Sequence, residues 1–200
     1  MTEILNALLL LPFYALGAFP SGLLVSRLYG VDITARGSGN VGATNVARVI
    51  GKRAGVITLA GDILKGCLGV AVASLCSSSE GFVAAAGAAV VCGHCFSIPP
   101  FLQGGKGVAT AIGVIASLSG YCALIAVSVF FAVFAVSRIV SMSSLSAALV
   151  VPIAGFVLNL PDNACLSLVV IALVVILRHR ENIQRLVEGR EPRFELRKPQ

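Results

Sequence analysis

From Val108 to Val136 the chain runs 29 residues without a charged side chain. As one helix at 1.5 Å per residue it would measure about 43 Å, against about 30 Å of hydrocarbon in a bilayer. The run is therefore expected to hold two spans, with Ser119-Gly120 as the break. Other apolar stretches cover roughly 4–28, 54–76, 81–100, 143–160 and 163–177, close to or above the roughly 17 to 25 residues a spanning helix needs. They are rich in Ala, Val, Leu and Gly and do not alternate in polarity, which favours helices over a transmembrane barrel. With 57% hydrophobic and only 12% charged residues, the expected fold is all-α, a polytopic membrane helix bundle forming one domain over 1–200. Nothing is left over for a separate soluble domain.

Charge decides the number of spans. With seven helices, Arg36, Arg48, Lys52, Arg53, Lys106, Arg138 and the basic tail from Arg178 to Lys198 all fall on one face, while the other face receives Glu3, Glu80 and Asp162. With six, the tail would lie opposite the first loop, against the tendency of cytoplasmic loops to collect Lys and Arg. Seven helices with the N-terminus outside and the C-terminus in the cytoplasm are expected, some of them short. Met1-Thr2-Glu3 lacks a basic n-region and the apolar run behind it continues to Leu28, so it reads as a retained first span rather than a signal peptide.

Four polar stretches then share the cytoplasmic face or approach it. The first loop, residues 30–55, combines glycines with Ser38, Asn40, Asn45, Arg48, Lys52 and Arg53, a pattern that allows close backbone approach and bidentate contacts to phosphate. A merely solvated positive-inside loop explains its Arg and Lys but not its Gly, Ser and Asn. In the second span Asp62 and Lys65 lie one helical turn apart, as either a functional pair or a structural one, and are expected to help orient the first loop. Residues 101–111, FLQGGKGVATA, place Lys106 among Gly104, Gly105 and Gly107 before a helix, with Pro99 and Pro100 ending the span before it. This is not a Walker A loop, because Gly107 follows the lysine and Thr110 comes too late. The tail continues the last helix with Arg178, His179, Asn182 and Arg185 on one side and Ile183, Leu186 and Val187 on the other. An interfacial helix on anionic lipid explains its charge, but not His179 and Asn182. Cys92, His94 and Cys95 suggest zinc, yet a fourth ligand is missing and His179 is remote, so no metal is expected and the six cysteines read as small buried hydrophobes.

Three blocks, GSGNVGATNVAR (37–48), GGKGVATA (104–111) and HRENIQRLVEGREPRF (179–194), resemble the signature motifs of the bacterial acyl-phosphate:glycerol-3-phosphate acyltransferases. The resemblance extends to Asp62, Lys65 and Gly66, to Gly93-His94, and to RIVSMSS from Arg138 to Ser144. It implies a seven-helix enzyme of the bacterial inner membrane, its site facing the cytoplasm, that moves a fatty acyl group from acyl phosphate to the 1-hydroxyl of sn-glycerol 3-phosphate. Lysophosphatidic acid and phosphate are the implied products, in phospholipid synthesis. Ser38, Asn40, Lys106, His179 and Asn182 take the catalytic roles in this resemblance. Gly37, Gly39, Asn45, Arg48, Gly104, Gly105, Gly107, Ser144, Arg178 and Arg185 would bind substrate or phosphate, and Asp62, Lys65, His94 and Glu191 would support them. Gln103 departs from the family, whose members usually carry a basic residue there. Neither histidine has the Asp of acyl-CoA-dependent enzymes: four and five residues beyond His94 stand Ile98 and Pro99, and beyond His179 Ile183 and Gln184.

The implied partners are acyl phosphate, glycerol 3-phosphate and membrane lipid, with no cofactor, no metal and no nucleic acid, and the enzyme is expected to be a monomer. His179 or the departing phosphate would accept the hydroxyl proton, the second being preferred. A small transporter for an organic phosphate is the alternative. It would need polar or broken helices near the midplane, and the spans from Val108 to Val136 and from Ser143 to Leu160 carry no charged residue apart from the connecting Arg138.

Overall fold

The computed structural model of the chain describes residues 8–97 and 104–194. These are helical apart from their connections: α1 Leu11–Gly17, α2 Ser21–Leu28, a 3₁₀ turn Ile33–Ala35, α3 Ala43–Val49, α4 Lys52–Cys76, α5 Glu80–Cys95, α6 Val108–Leu118, α7 Gly120–Ser137, α8 Val140–Val157, α9 Asp162–Arg178 and α10 Arg180–Val187. Three of them, α4, α7 and α8, are each long and apolar enough to cross a membrane, and α9 with α10 qualifies as a pair bent by 61°. Many large apolar side chains point outward, Leu28, Leu75, Val136 and Tyr121 among them. In lipid, such exposure carries no hydrophobic penalty.

The break expected at Ser119-Gly120 is present. Ser119 is extended, ends α6 with its N–H on Ile115 O, and caps α7 by accepting from Cys122 N–H. Other expectations need correction. The first apolar run is not one helix: Pro20 has no N–H to continue a ladder, and α1 and α2 are separate. The third span ends at Cys95, before Pro99 and Pro100, which lie outside the described residues together with Gln103 and Glu3. The first loop is largely structured, and its Lys52 and Arg53 open α4.

The last helix does not continue straight into the tail either. His179 Nδ1 donates to Val175 O at 2.7 Å, occupying the carbonyl that the helix would have used, and the His179 N–H moves to Ile176 O. A side chain inserted into the ladder in this way bends a helix.

Close packing rests on glycine, as expected where helices meet in lipid. A Cβ on Gly66 would strike Thr110 O, and one on Gly113 would strike Ile63 O, so α4 and α6 approach at backbone distance. Gly17 and Gly93 do the same between α1 and α5. The first of these contacts holds the start of α6, and with it the glycine loop, against α4.

The chain then closes on itself. Beyond α10, Phe194 N–H donates to Arg138 O at 2.7 Å, and the Phe134 and Phe194 rings meet edge to face with centroids 6.1 Å apart. The end of the described chain is thereby fastened to the corner between α7 and α8.

Candidate functional site

The first loop is ordered by one amide. Asn45, 2% exposed on α3, donates to Arg36 O at 3.0 Å and Asn40 O at 2.9 Å, and accepts from Ser38 N–H at 3.0 Å. Its polar atoms are engaged within the loop, so Asn45 shapes the loop that carries Ser38 and Arg48. Gly37 has φ +62° and a Cβ there would overlap Asn45 Oδ1. We expect Gly37→Ala to raise the KM for the loop's ligand severalfold and lower the unfolding temperature. Gly30→Ala, with φ +66° but nothing within 4 Å, should cost only the backbone strain of about 1 kcal/mol and leave KM unchanged; thermal unfolding and steady-state kinetics separate the two.

The glycine loop is held from two sides. Gly105 N–H donates to His94 O at 3.0 Å, while Arg178 reaches Gly104 O with Nη2 at 3.0 Å and Gly105 O with Nε at 3.1 Å. The Gly105 N–H is therefore committed to protein and is not part of a phosphate cradle, and Arg178 uses two donors on the loop. Gly107, in the left-handed region at φ +79°, is the N-cap of α6.

Lys106 leads from this loop into the tail. Its Nζ donates to Asn182 Oδ1 at 2.5 Å, Asn182 Nδ2 donates to Glu191 Oε1 at 2.5 Å, and Glu191 also accepts from Ser141 Oγ and Arg185 Nε, each at 2.7 Å. Burial raises the affinity of the Glu191 carboxyl for its proton, but the hydrogen bonds from Ser141, Asn182 and Arg185 outweigh it and hold the group below its ordinary range. Burial pushes the Lys106 ammonium down to about 8, with Glu191 opposing the shift. Burial likewise pushes His179 down to about 4, so the imidazole is neutral near pH 7 with Nδ1–H on Val175 O.

A cleft of about 1030 Å³ opens between these elements, lined among others by Ser38, Asn40, Arg48, Lys106, Arg178 and Arg185. Gly37, Gly39 and Gly104 also face it. The lining carries four cations and one carboxylate, Glu181, which suits an anion with more than one negative charge. Among the described residues, Ser38 Oγ and the Arg48 guanidinium have no hydrogen bond or ion pair. The cleft thus gathers three stretches of sequence that lie far apart in the chain.

Several expected site residues lie behind the lining. His179 and Asn182 are buried, at 2% and 4% exposure. Ser144 is also buried and donates to Val140 O within α8, so it does not reach the cleft; Ser141, one turn earlier, is the serine that reaches the tail network. Asp62 and Lys65 form an ion pair at 3.0 Å, and Lys65 Nζ donates to Phe19 O at 2.9 Å. The pair therefore braces the break between α1 and α2 rather than the first loop. Glu181, Ser97 and Phe96 of the lining and the network's Ser141 were not singled out in the sequence. Phe96 had a signal in hindsight, an aromatic beside a phosphate loop, and Arg178 stands over its ring at 5.8 Å.

The family model for glycerol-3-phosphate acyltransferase matches residues 7–189. This chain belongs to the glycerol-3-phosphate acyltransferase family. Curated members include proteins of Trichlorobacter lovleyi, 44% identical over 90% of this chain and 93% of theirs, and Geobacter sulfurreducens, 45% identical over the same shares. Among solved structures, the glycerol 3-phosphate form of PlsY, an integral membrane glycerol 3-phosphate acyltransferase, superposes with a TM-score of 0.89 at 39% identity, covering 95% of this chain and 96% of that one. Its lysophosphatidic acid form gives 0.87 at 38% identity, covering 96% of each chain. This glycerol-3-phosphate acyltransferase family member is thus an all-helical integral membrane protein and an acyltransferase, and the transporter alternative falls away.

Proposed function

We propose that the cleft transfers a fatty acyl group from acyl phosphate to the 1-hydroxyl of sn-glycerol 3-phosphate, releasing lysophosphatidic acid and inorganic phosphate. Acyl transfer to glycerol 3-phosphate is the activity of the family, and relatives have been solved in glycerol 3-phosphate and lysophosphatidic acid forms. The donor and the hydroxyl are our reading. It is supported by one observation above all: Arg48 and Ser38 from the first loop face Lys106 and Arg178 across a single cleft. Two phosphates brought together repel, and cations converging from separate elements offset that repulsion. An acyl phosphate already carries a good leaving group, so positioning and charge neutralisation supply most of the rate.

In this scheme Arg48 and Ser38 bind glycerol 3-phosphate, and Lys106 with the N-terminus of α6 binds the donor's phosphate. The hydroxyl oxygen forms a bond to the acyl carbon, the carbon–oxygen bond to phosphate breaks, and the proton passes to the departing phosphate. His179 stands behind the lining with Nδ1 on Val175 O, which favours that substrate-assisted route over a histidine base. We expect His179→Gln to retain most of the turnover that Lys106→Ala loses; loss of all turnover in His179→Gln with an intact fold would restore the histidine base.

The ammonium form of Lys106 is the active one. A group brought down to about 8 is charged below that pH and neutral above it, so kcat/KM should fall as pH rises through about 8. Bound phosphate favours the charged form, so the limb in kcat should lie at higher pH. Lys106→Arg should abolish both limbs in a pH–rate series.

We further read seven spans with the C-terminus and the cleft on the cytoplasmic side of the inner membrane, a single domain and a monomer, supported by the segregation of Arg and Lys along the chain. The direct test incubates purified protein in lipid with acyl phosphate and labelled glycerol 3-phosphate. Labelled lysophosphatidic acid is expected; product with acyl-CoA but none with acyl phosphate would overturn the donor assignment.

A further inference from the structure

Behind the glycine loop lies a polar group that lines no part of the cleft. Asp62, Lys65, His94 and Thr110 are 3%, 4%, 7% and 0% exposed. Ionisable side chains inside a bundle of apolar helices are costly, and a pair that merely neutralised itself could be replaced by leucine and methionine at little loss. What sets this pair apart is the residue it touches. Asp62 Oδ1 lies 3.5 Å from His94 Nδ1, and Thr110 Oγ1 lies 3.2 Å from the same nitrogen. Both oxygens stand at the Nδ1 edge, and together they hold that side of the ring and fix its plane.

The other edge of that ring bears on the loop. A Cβ on Gly105 would overlap His94 Nε2, and the His94 carbonyl accepts the Gly105 N–H at 3.0 Å. His94 therefore meets Gly105 twice, through its ring and through its backbone. Asp62, Lys65, His94 and Gly105 also share the wall of a small cavity of about 10 Å³ on the side of the loop away from the tail. Gly105 directly precedes Lys106, whose Nζ has to meet Asn182.

We propose that Asp62 is a positioning residue for acyl transfer, acting through His94 to set the register of Gly105 and thereby the placement of Lys106. Lys65 balances the Asp62 charge and ties it to Phe19 O. Arg178 grips Gly104 O and Gly105 O from α9, so Gly105 is clamped between α5 and α9. Removing the α5 half of the clamp lets the loop drift while the rest of the bundle stays packed. A shift of about 1 Å in a substrate-positioning group costs about a hundredfold in rate.

The inference rests on the acyltransferase reading, which the wild-type assay tests by itself; the inference is tested by the ratio between variants. Two double substitutions remove both charges and differ in one atom's role. Asp62→Asn with Lys65→Met keeps an oxygen facing His94 Nδ1. Asp62→Leu with Lys65→Met removes it. Both enzymes are purified in detergent, checked for a single unfolding transition, and assayed with acyl phosphate and glycerol 3-phosphate.

The Asn/Met enzyme is expected to keep at least a third of wild-type kcat/KM. The Leu/Met enzyme should unfold within a few degrees of it, yet lose at least tenfold in kcat/KM, with KM for the phosphate substrate rising. Equal activity in the two would overturn the proposal, since a pair that serves only packing does not distinguish asparagine from leucine. If the Leu/Met enzyme does not fold, His94→Leu takes its place. Wild-type kcat and KM in that variant would overturn the proposal equally, and a tenfold loss at an unchanged unfolding temperature would support it.

Discussion

Lys106→Met should abolish most of the activity while leaving the protein as stable as the wild type, or more so. The ammonium is buried enough that its affinity for a proton falls to about 8, which means the folded protein bears a desolvation cost to keep it charged. A thioether of similar length bears none. The same charge stabilises negative charge developing on the departing phosphate, and loss of one such preorganised donor costs about 10²–10³-fold in rate. The expected result is thus a fall of that size in kcat with an unchanged or raised unfolding temperature, measured on the same preparation. A matching fall in stability would mean that Lys106 serves the fold, and retained activity would remove it from the chemistry. This trade of stability for activity is common where a site keeps a group that packing alone would discard.

Glu191→Leu should damage both properties at once. Glu191 accepts from Ser141, Asn182 and Arg185, and leucine would leave three donors without an acceptor. Breaking a buried pair by removing one partner costs about 3–5 kcal/mol, but the Arg185 side chain is 35% exposed and water replaces part of its interaction, so about 2–3 kcal/mol is expected. Activity should fall about a hundredfold as well, because the Asn182 amide would no longer be held with its oxygen towards Lys106. Glu191→Gln keeps an oxygen for Ser141 and Asn182 and should lose less than about a tenth as much activity. Thermal unfolding and kcat read side by side decide the matter. A leucine variant that unfolds like the wild type would show the network to be idle.

That the chain is a set of apolar helices was legible in the sequence because hydrocarbon tolerates few charges, and each apolar run reports its own position. The break at Ser119 could be read from length alone. The breaks at Pro20 and His179 could not: one needs a single missing N–H, the other a side chain that takes a carbonyl from its own helix. The members of the site were legible for a similar reason. Arg48, Lys106 and Arg178 are polar residues in a chain that has few; two of them lie in the first two motifs, and Arg178 directly precedes the third. Their division of labour was hidden. Asn45 and Ser38 look alike as candidates for a phosphate site, yet Asn45 lies inward with its amide fully engaged and Ser38 faces the cleft. Ser141 and Ser144 stand one turn apart, and only their helix's orientation towards the tail separates them.

The fastening of Phe194 to the corner at Arg138 has a bearing on biosynthesis. A nascent chain inserted as far as α9 already holds its first loop and its glycine loop, but Lys106 has no Asn182 to meet, and Asn182 has no Glu191. The residues that complete the site, Asn182 and Glu191, both follow α9 in the chain. A copy that stops between α9 and Glu191 is therefore expected to keep its packed apolar helices while Lys106 lacks the partners that hold it.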